Sequence, residues 1–314
     1  MRIMRVVKLA GVAVMLVTAL IACKQKGKTG HRITIGVSYQ NLQNEFIINI
    51  QDAMRAKAKE LGVELVEADG QGKAETQISQ TEDFIARGVD AIILNPYDRE
   101  GSAHAVDLAV RSHKPIVVVN AIVSNLQKAD AYVGSEDAAA GRIVATRIME
   151  LLKGRGAIAV IHGPNGHSAE VQRSDGIRQV LAKFPGATIV VEQTANWDRA
   201  QALTLMENWL SSGRRIDAVI AQNDEMALGA YKAIAAAGRQ KEILVIGIDA
   251  IPDALRAVSE GKLVGTVFQD AKGQGALAVE LAKRLAEGQK VKHDNDIPFQ
   301  LVTRENLAKF WSPK

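Results

Sequence analysis

Residues 61–96, LGVELVEADGQGKAETQISQTEDFIARGVDAIILNP, and residues 184–224, FPGATIVVEQTANWDRAQALTLMENWLSSGRRIDAVIAQND, are laid out alike. Each passes from a β-branched run through a polar loop into a helical pattern, then ends on an Asp-Ala-apolar-apolar strand. An echo about 125 residues apart points to two similar α/β lobes. Two independent instances of a common βαβ pattern remain the alternative.

Working outward, short apolar runs alternate with longer helical patterns from Ile33 onward, which is the signature of βαβ units and parallel sheets. The pattern predicts strands at 33–37, 63–68, 91–94, 116–119, 157–161, 188–192, 218–221, 244–248 and 265–268. Helices are predicted at 45–61, 74–87, 137–153, 168–183, 198–210, 225–237 and 272–285. Nearly all the strands are continuous apolar runs, as expected where helices cover both sheet faces. There are too many for one compact sheet, and two facing lobes would leave a cleft at the carboxyl ends of their strands.

The 314 residues are 47% hydrophobic and 24% charged, which excludes a disordered chain. An aromatic content of 4% with 26 glycines suits an α/β protein better than a β-sandwich. The net charge of +4 is misleading, because Arg2, Arg5 and Lys8 stand in a leader without acids. Residues 9–22 form an uncharged run of 14, too short to span a bilayer comfortably and suited to a signal-peptide core. Residues 1–22 are therefore read as an export signal, and its closing Leu20-Ile21-Ala22-Cys23 resembles a bacterial lipobox. Lipidation of Cys23 would also explain a single cysteine in an exported chain. Residues 23–32 read as a flexible tether. Removing the leader leaves 36 basic and 35 acidic residues, so nothing favours nucleic acid as a partner.

Motifs for zinc proteases, P-loops, paired cysteines and serine hydrolases are absent. The string Gly273-Gln274-Gly275-Ala276-Leu277-Ala278 fits a loose dinucleotide fingerprint, but its glycines read better as close-packing positions in the last helix.

The informative residues lie just beyond the predicted strands: Asn44, Phe46, Asn120, His167, Arg173, Trp197, Asn223, Asp249 and Gln269. Flat aromatics beside planar amides, a carboxylate and a guanidinium are what a sugar needs: rings stack on its C–H faces, and each hydroxyl both donates and accepts. Plainer roles are open to the same residues. Asn44 and Asn223 are placed to cap helices, Asp249 to close a turn, and Phe46 to fill a core. Arg173 suits a solvated helix face and His167 a loop, whereas Trp197 has little core to enter.

Over Ile33 to Phe310 the chain resembles periplasmic glucose/galactose-binding proteins, in AQNDEMALGA (221–230), GIDAIPDAL (247–255), GTVFQDA (265–271), TANWDRAQALTLMENWLS (194–211) and IPFQLVTRENLAKF (297–310). The first is equally close to ribose-binding proteins. The resemblance implies two Rossmann-like lobes with parallel sheets, joined by a three-stranded hinge with crossovers near 124–134, 268–271 and 292–298. The lobes would be 33–130 with 271–293, and 134–268 with 298–314. It implies a monomeric, cofactor-free receptor, not an enzyme, that closes on a monosaccharide or polyol and delivers it to an ABC permease and its ATPase. Phe46 and Trp197 match the rings that sandwich the sugar, and Asn120, His167, Arg173, Asn223 and Asp249 match its polar contacts. Asn44 and Ala169 stand where acids grip hydroxyls, Ala121 replaces a basic residue, and Gln269 replaces an Asn, as in ribose-type proteins. No calcium loop is visible in 156–170, so no metal is expected. Three other readings stay open: a sensor partner, a repressor-like core, which would need a DNA-binding headpiece where the leader stands, and an exported enzyme, which would need a catalytic constellation.

Overall fold

The computed structural model describes residues 31–311. The leader 1–22, Cys23 and most of the proposed tether lie outside them. The chain begins with β1 (Thr34–Tyr39), α1 (Glu45–Leu61), β2 (Glu64–Asp69), α2 (Ala74–Ala86), β3 (Ala91–Leu94), α3 (Ala103–Arg111), β4 (Ile116–Asn120) and β5 (Ala131–Gly134). It continues with α4 (Asp137–Leu151), β6 (Arg155–His162), α5 (Ser168–Leu181), β7 (Gly186–Thr194), α6 (Arg199–Ser211), β8 (Ala218–Ala221), α7 (Asp224–Ala236), β9 (Leu244–Ile246), α8 (Pro252–Ser259) and β10 (Thr266–Phe268). It closes with α9 (Ala271–Ala286), β11 (Asp294–Asp296) and β12 (Gln300–Val302).

Six parallel strands form the first sheet in the order β11-β5-β4-β3-β1-β2. Four parallel strands form the second, in the order β7-β6-β8-β9. An antiparallel pair, β10 with β12, flanks β9 through the Ile246–Gly265 bridge. In each sheet the second strand lies on one side of the first and the third on the other. This reversal opens a crevice at the carboxyl ends, between β1 and β3 and between β6 and β8.

The two-residue period of the strands explains the doubly wound arrangement. Ile35, Val37, Val117 and Val119 face α1 and α9, whereas Ile92, Leu94, Ile116 and Val118 face α2 and α3. The second sheet divides likewise, with α6, α7 and α8 on one face and α4 and α5 on the other. With both faces buried, strands such as AIIL in β3 need no alternation. α1 begins on an Asn44 cap and stops at Gly62, which takes the left-handed conformation at φ 68°.

Sequence periodicity misses β5, β11 and β12, which have three or four residues each, and the short helices α3 and α8. The chain leaves the first sheet after β5, returns between β10 and α9, and leaves again after β11. The fingerprint-like Gly275 lies in α9, where a Cβ would come 2.6 Å from the Ile50 carbonyl oxygen in α1.

Candidate functional site

The strand ends of the two sheets meet around a cavity of about 300 Å³ lined by Gln40, Asn44, Phe46, Ile47, Asn120, His167, Ala169, Arg173, Trp197, Asn223, Asp249 and Gln269. All nine residues singled out from the sequence are in this wall.

Arg173 is the electrostatic centre. It sits on α5, which packs against α4 so closely that a Cβ on Gly141 would lie 2.1 Å from the Arg173 carbonyl oxygen. That approach brings Asp137, at the start of α4, to the guanidinium: Nε donates to Asp137 Oδ1 at 2.8 Å, and both side chains are buried. The other nitrogens donate to the Gln222 carbonyl at 2.5 Å and to Gln269 Oε1 at 3.3 Å. The guanidinium carbon also lies 5.6 Å from the Trp197 ring centroid. This network holds a positive charge in a dry wall by fixing most of its donors.

Asp249 faces the opposite situation. It is buried, and among the described residues no hydrogen-bond donor reaches its carboxylate. Burial pushes its pKa well above the ordinary carboxylate range, Asp224 and Asp137 push the same way, and Arg173 opposes them. Its backbone is held at φ 124°, followed by Ala250 at φ 58°, both in the left-handed region. Asp224 supports this turn, accepting from Ile251 N at 3.1 Å and from the Thr266 hydroxyl at 2.7 Å, and that hydroxyl accepts from Ala250 N. Burial raises the Asp224 pKa to about 7. Beside Asp249, Gln269 Nε2 is buried without a partner among the described residues.

Trp197 follows the left-handed Asn196, at φ 54°, and is itself left-handed at φ 62°, and this pair turns the indole into the cleft. The ring lies against bare backbone, since a Cβ at Gly163 would sit 2.0 Å from it. His167 meets it edge-on at 5.4 Å. His167 caps α5, its Nδ1 accepting from Ala169 N at 3.1 Å, so its Nε2 carries the hydrogen and donates to Gln40 Oε1 at 2.7 Å. Burial, then the Arg173 charge, pushes the imidazole pKa down to about 3, so the ring is neutral.

The first-lobe wall is uncharged. Asn44 Oδ1 caps α1 through the amides of Phe46 and Ile47, so the capping role and the cavity position coincide. Phe46 is likewise both a core residue and a wall. Asn223 caps α7 through Met226 N while lining the cavity. Asn120 donates to Gln274 Oε1 at 3.1 Å, Gln274 donates to the Ser135 hydroxyl, and that hydroxyl donates to the Ile297 carbonyl. This chain joins the cavity to two of the segments that pass between the sheets.

Sequence reasoning missed Gln40, Ile47, Asp137 and Gln222. Gln40 follows β1 directly, and counting from the strand end finds it. Asp137 and Arg173 meet through helix packing, which has no local signal. His162 is turned away from the cavity, toward Glu192 at 3.0 Å and Glu170 at 3.2 Å. Among the described residues no group of three His, Cys, Asp or Glu side chains is placed to hold a metal ion.

Residues 35–290 match the family described as periplasmic binding protein domain. The chain belongs to that family. A protein of Rhizobium meliloti with the provisional name rhizopine-binding protein is 42% identical, the match covering 89% of this chain and 93% of that one. The xylitol-binding protein of Mycolicibacterium smegmatis is 36% identical over 87% of this chain and 78% of its own length. A solved ABC transporter solute binding protein of Bacillus halodurans C-125, with bound myo-inositol, superposes with a TM-score of 0.87 at 43% identity, covering 90% and 98% of the two chains. The present chain is a substrate-binding protein with the two-lobed type I fold, not an enzyme.

Proposed function

We propose that this chain is the extracytoplasmic, lipid-anchored binding component of an ABC importer, and that it holds a neutral monosaccharide or cyclic polyol in the cleft. The observation that carries the reading is one cavity that holds the buried Asp249 and an amide, Gln269 Nε2, that is buried without a partner among the described residues. A hydroxyl supplies what each lacks, since it donates to the carboxylate and accepts from the amide. Leaving the buried amide unpaired would be costly. The Asp137–Arg173 pair leaves the guanidinium no spare charge for a phosphate, and Ala121 offers none.

Relatives named for xylitol and rhizopine, and a structure holding myo-inositol, support the ligand class. Phe46 and Trp197 are the proposed apolar platforms. Asn44, Asn120, Arg173, Asn223, Asp249 and Gln269 are the proposed polar contacts, with His167 beside them. The lobes proposed are 33–130 with 271–293 and 134–268 with 298–314, closing on a ligand that touches both. Cys23 is the proposed acylated N-terminus after removal of 1–22.

A thermal-shift panel of aldohexoses, pentoses, inositols and linear polyols tests the ligand class. Ligand at 100 times its Kd stabilises by about 2.7 kcal/mol, a rise of roughly 5 °C at this size. A response confined to amino acids, nucleosides or phosphorylated compounds overturns the reading. Detergent partitioning of the wild type against Cys23→Ser tests the anchor, and equal partitioning refutes it.

A further inference from the structure

Gln40 and His167 stand on opposite sides of the cavity, one just after β1 and the other at the start of α5, and they are joined by a 2.7 Å hydrogen bond. Both side chains are buried. Because the Ala169 N–H occupies Nδ1, the direction of the bond is fixed: His167 donates from Nε2 and Gln40 Oε1 accepts. Neither ring nitrogen then has hydrogen-bonding capacity left for a ligand.

Gln40 is also well anchored on its own side. Its backbone N–H donates to Asn95 Oδ1 at 3.2 Å, and its carbonyl accepts from Gly72 N at 2.8 Å. Asn95 in turn donates from Nδ2 to the Val119 carbonyl at 3.2 Å and approaches Asn120 Oδ1 at 3.5 Å. A continuous set of amides therefore runs from Asn120, in the cavity wall, through Asn95 to the backbone of Gln40 and across the cleft to His167. Two peripheral bonds cross nearby without lining the cavity: Arg99 N to the Gly166 carbonyl at 3.0 Å, and Ile122 N to the Ser168 hydroxyl at 2.9 Å.

We propose that Gln40 is a positioning residue for closure: it latches the two lobes through His167 from inside the ligand cavity, and it takes the imidazole out of direct ligand recognition. The proposal rests on the reading that the cleft closes on a ligand. His167 then acts on affinity indirectly, by holding the closed form, and the ligand's polar contacts fall to the amides, Arg173 and Asp249. The latch keeps its strength across the physiological range, because the imidazole stays neutral down to a pKa of about 3.

Gln40→Leu removes the acceptor while keeping the bulk, and Gln40→Glu keeps an acceptor. Spin labels on Glu82→Cys and Glu207→Cys, in a Cys23→Ser background, report the distance between the lobes. Calorimetry with myo-inositol reports affinity. Closing Gln40→Leu strands a buried donor, so its closed-to-open ratio and its affinity for myo-inositol should each fall about tenfold, whereas Gln40→Glu retains most of both. In a His167→Phe background Gln40→Leu should have no further effect. A merely structural role would lower the melting temperature and leave the lobe distances alone. A native protein that closes while Gln40→Leu closes equally well, or a Gln40→Leu effect undiminished beside His167→Phe, overturns the latch and leaves the functional reading standing. A native protein that neither closes on nor binds any member of the polyol panel overturns both.

Discussion

The two walls of the cavity are built differently. The first-lobe wall, made of Gln40, Asn44, Phe46, Ile47 and Asn120, carries no charge, and its amides double as helix caps and links toward the hinge segments. The second-lobe wall carries Arg173, Asp249 and Trp197 and buries an ion pair behind the surface, while positive φ occurs in both walls, at Asn120 as well as at Trp197 and Asp249. Hydrogen bonds to charged groups are roughly twice as strong as those to neutral amides. Under the proposed function, this contrast puts selection of the ligand in the second lobe and its enclosure in the first.

The largest effect that would break this comparison is on folding. Arg173→Ala strands Asp137 in a buried site and should cost about 3–5 kcal/mol of stability, measured by denaturant unfolding. A loss below about 1 kcal/mol would mean the pair is hydrated. Asp249→Asn should act in opposite directions on binding and folding. Affinity should fall by about 1–2 kcal/mol, since the amide cannot reproduce the carboxyl's hydrogen bonding to a ligand hydroxyl. Ligand-free stability near neutral pH should rise.

The sign of that second effect follows from linkage. A carboxyl whose pKa is raised by folding holds a proton that the unfolded chain releases. Its stabilising contribution is complete below the ordinary carboxylate range and is lost as pH rises through the raised folded value. Asp249→Asn should therefore flatten the decline in melting temperature over that interval, and a parallel curve would place the ionisation elsewhere. Trp197→Ala should weaken binding by about 1–3 kcal/mol with folding largely intact. The smallest effect belongs to the neutral wall: Asn44→Ala removes a cap and should cost about 1 kcal/mol of stability. An affinity loss there larger than that of Asp249→Asn would reverse the assignment of the two walls.

Much of this was legible before any coordinates. The apolar runs at β1, β3, β4 and β8 announce strands buried on both faces, and Asn120 and Asn223, at the ends of β4 and β8, mark the cleft. Asn44, Phe46 and Asn223 were readable as either structural or ligand-facing, and the structure gives each of them both placements. Illegible were the three-residue strands β11 and β12, too short for any period, and the couplings between distant residues. Nothing near Arg173 announces Asp137, because their meeting depends on two helices packing through Gly141. The saturation of His167 by Gln40 and Ala169 is equally invisible, because it joins residues as far apart in the sequence as Gln40 and His167.

The bare backbone under Trp197 constrains how this receptor can change over generations. Any side chain at residue 163 would occupy the space of the indole, so the two positions cannot vary independently. A lineage moving toward a ligand without a ring-stacking face must shrink residue 197 first and may fill 163 only afterwards. The reverse order passes through a form whose cavity is jammed. Mutational history at this site is thus directional, and libraries that randomise 163 and 197 together will reach specificities that single-site walks cannot.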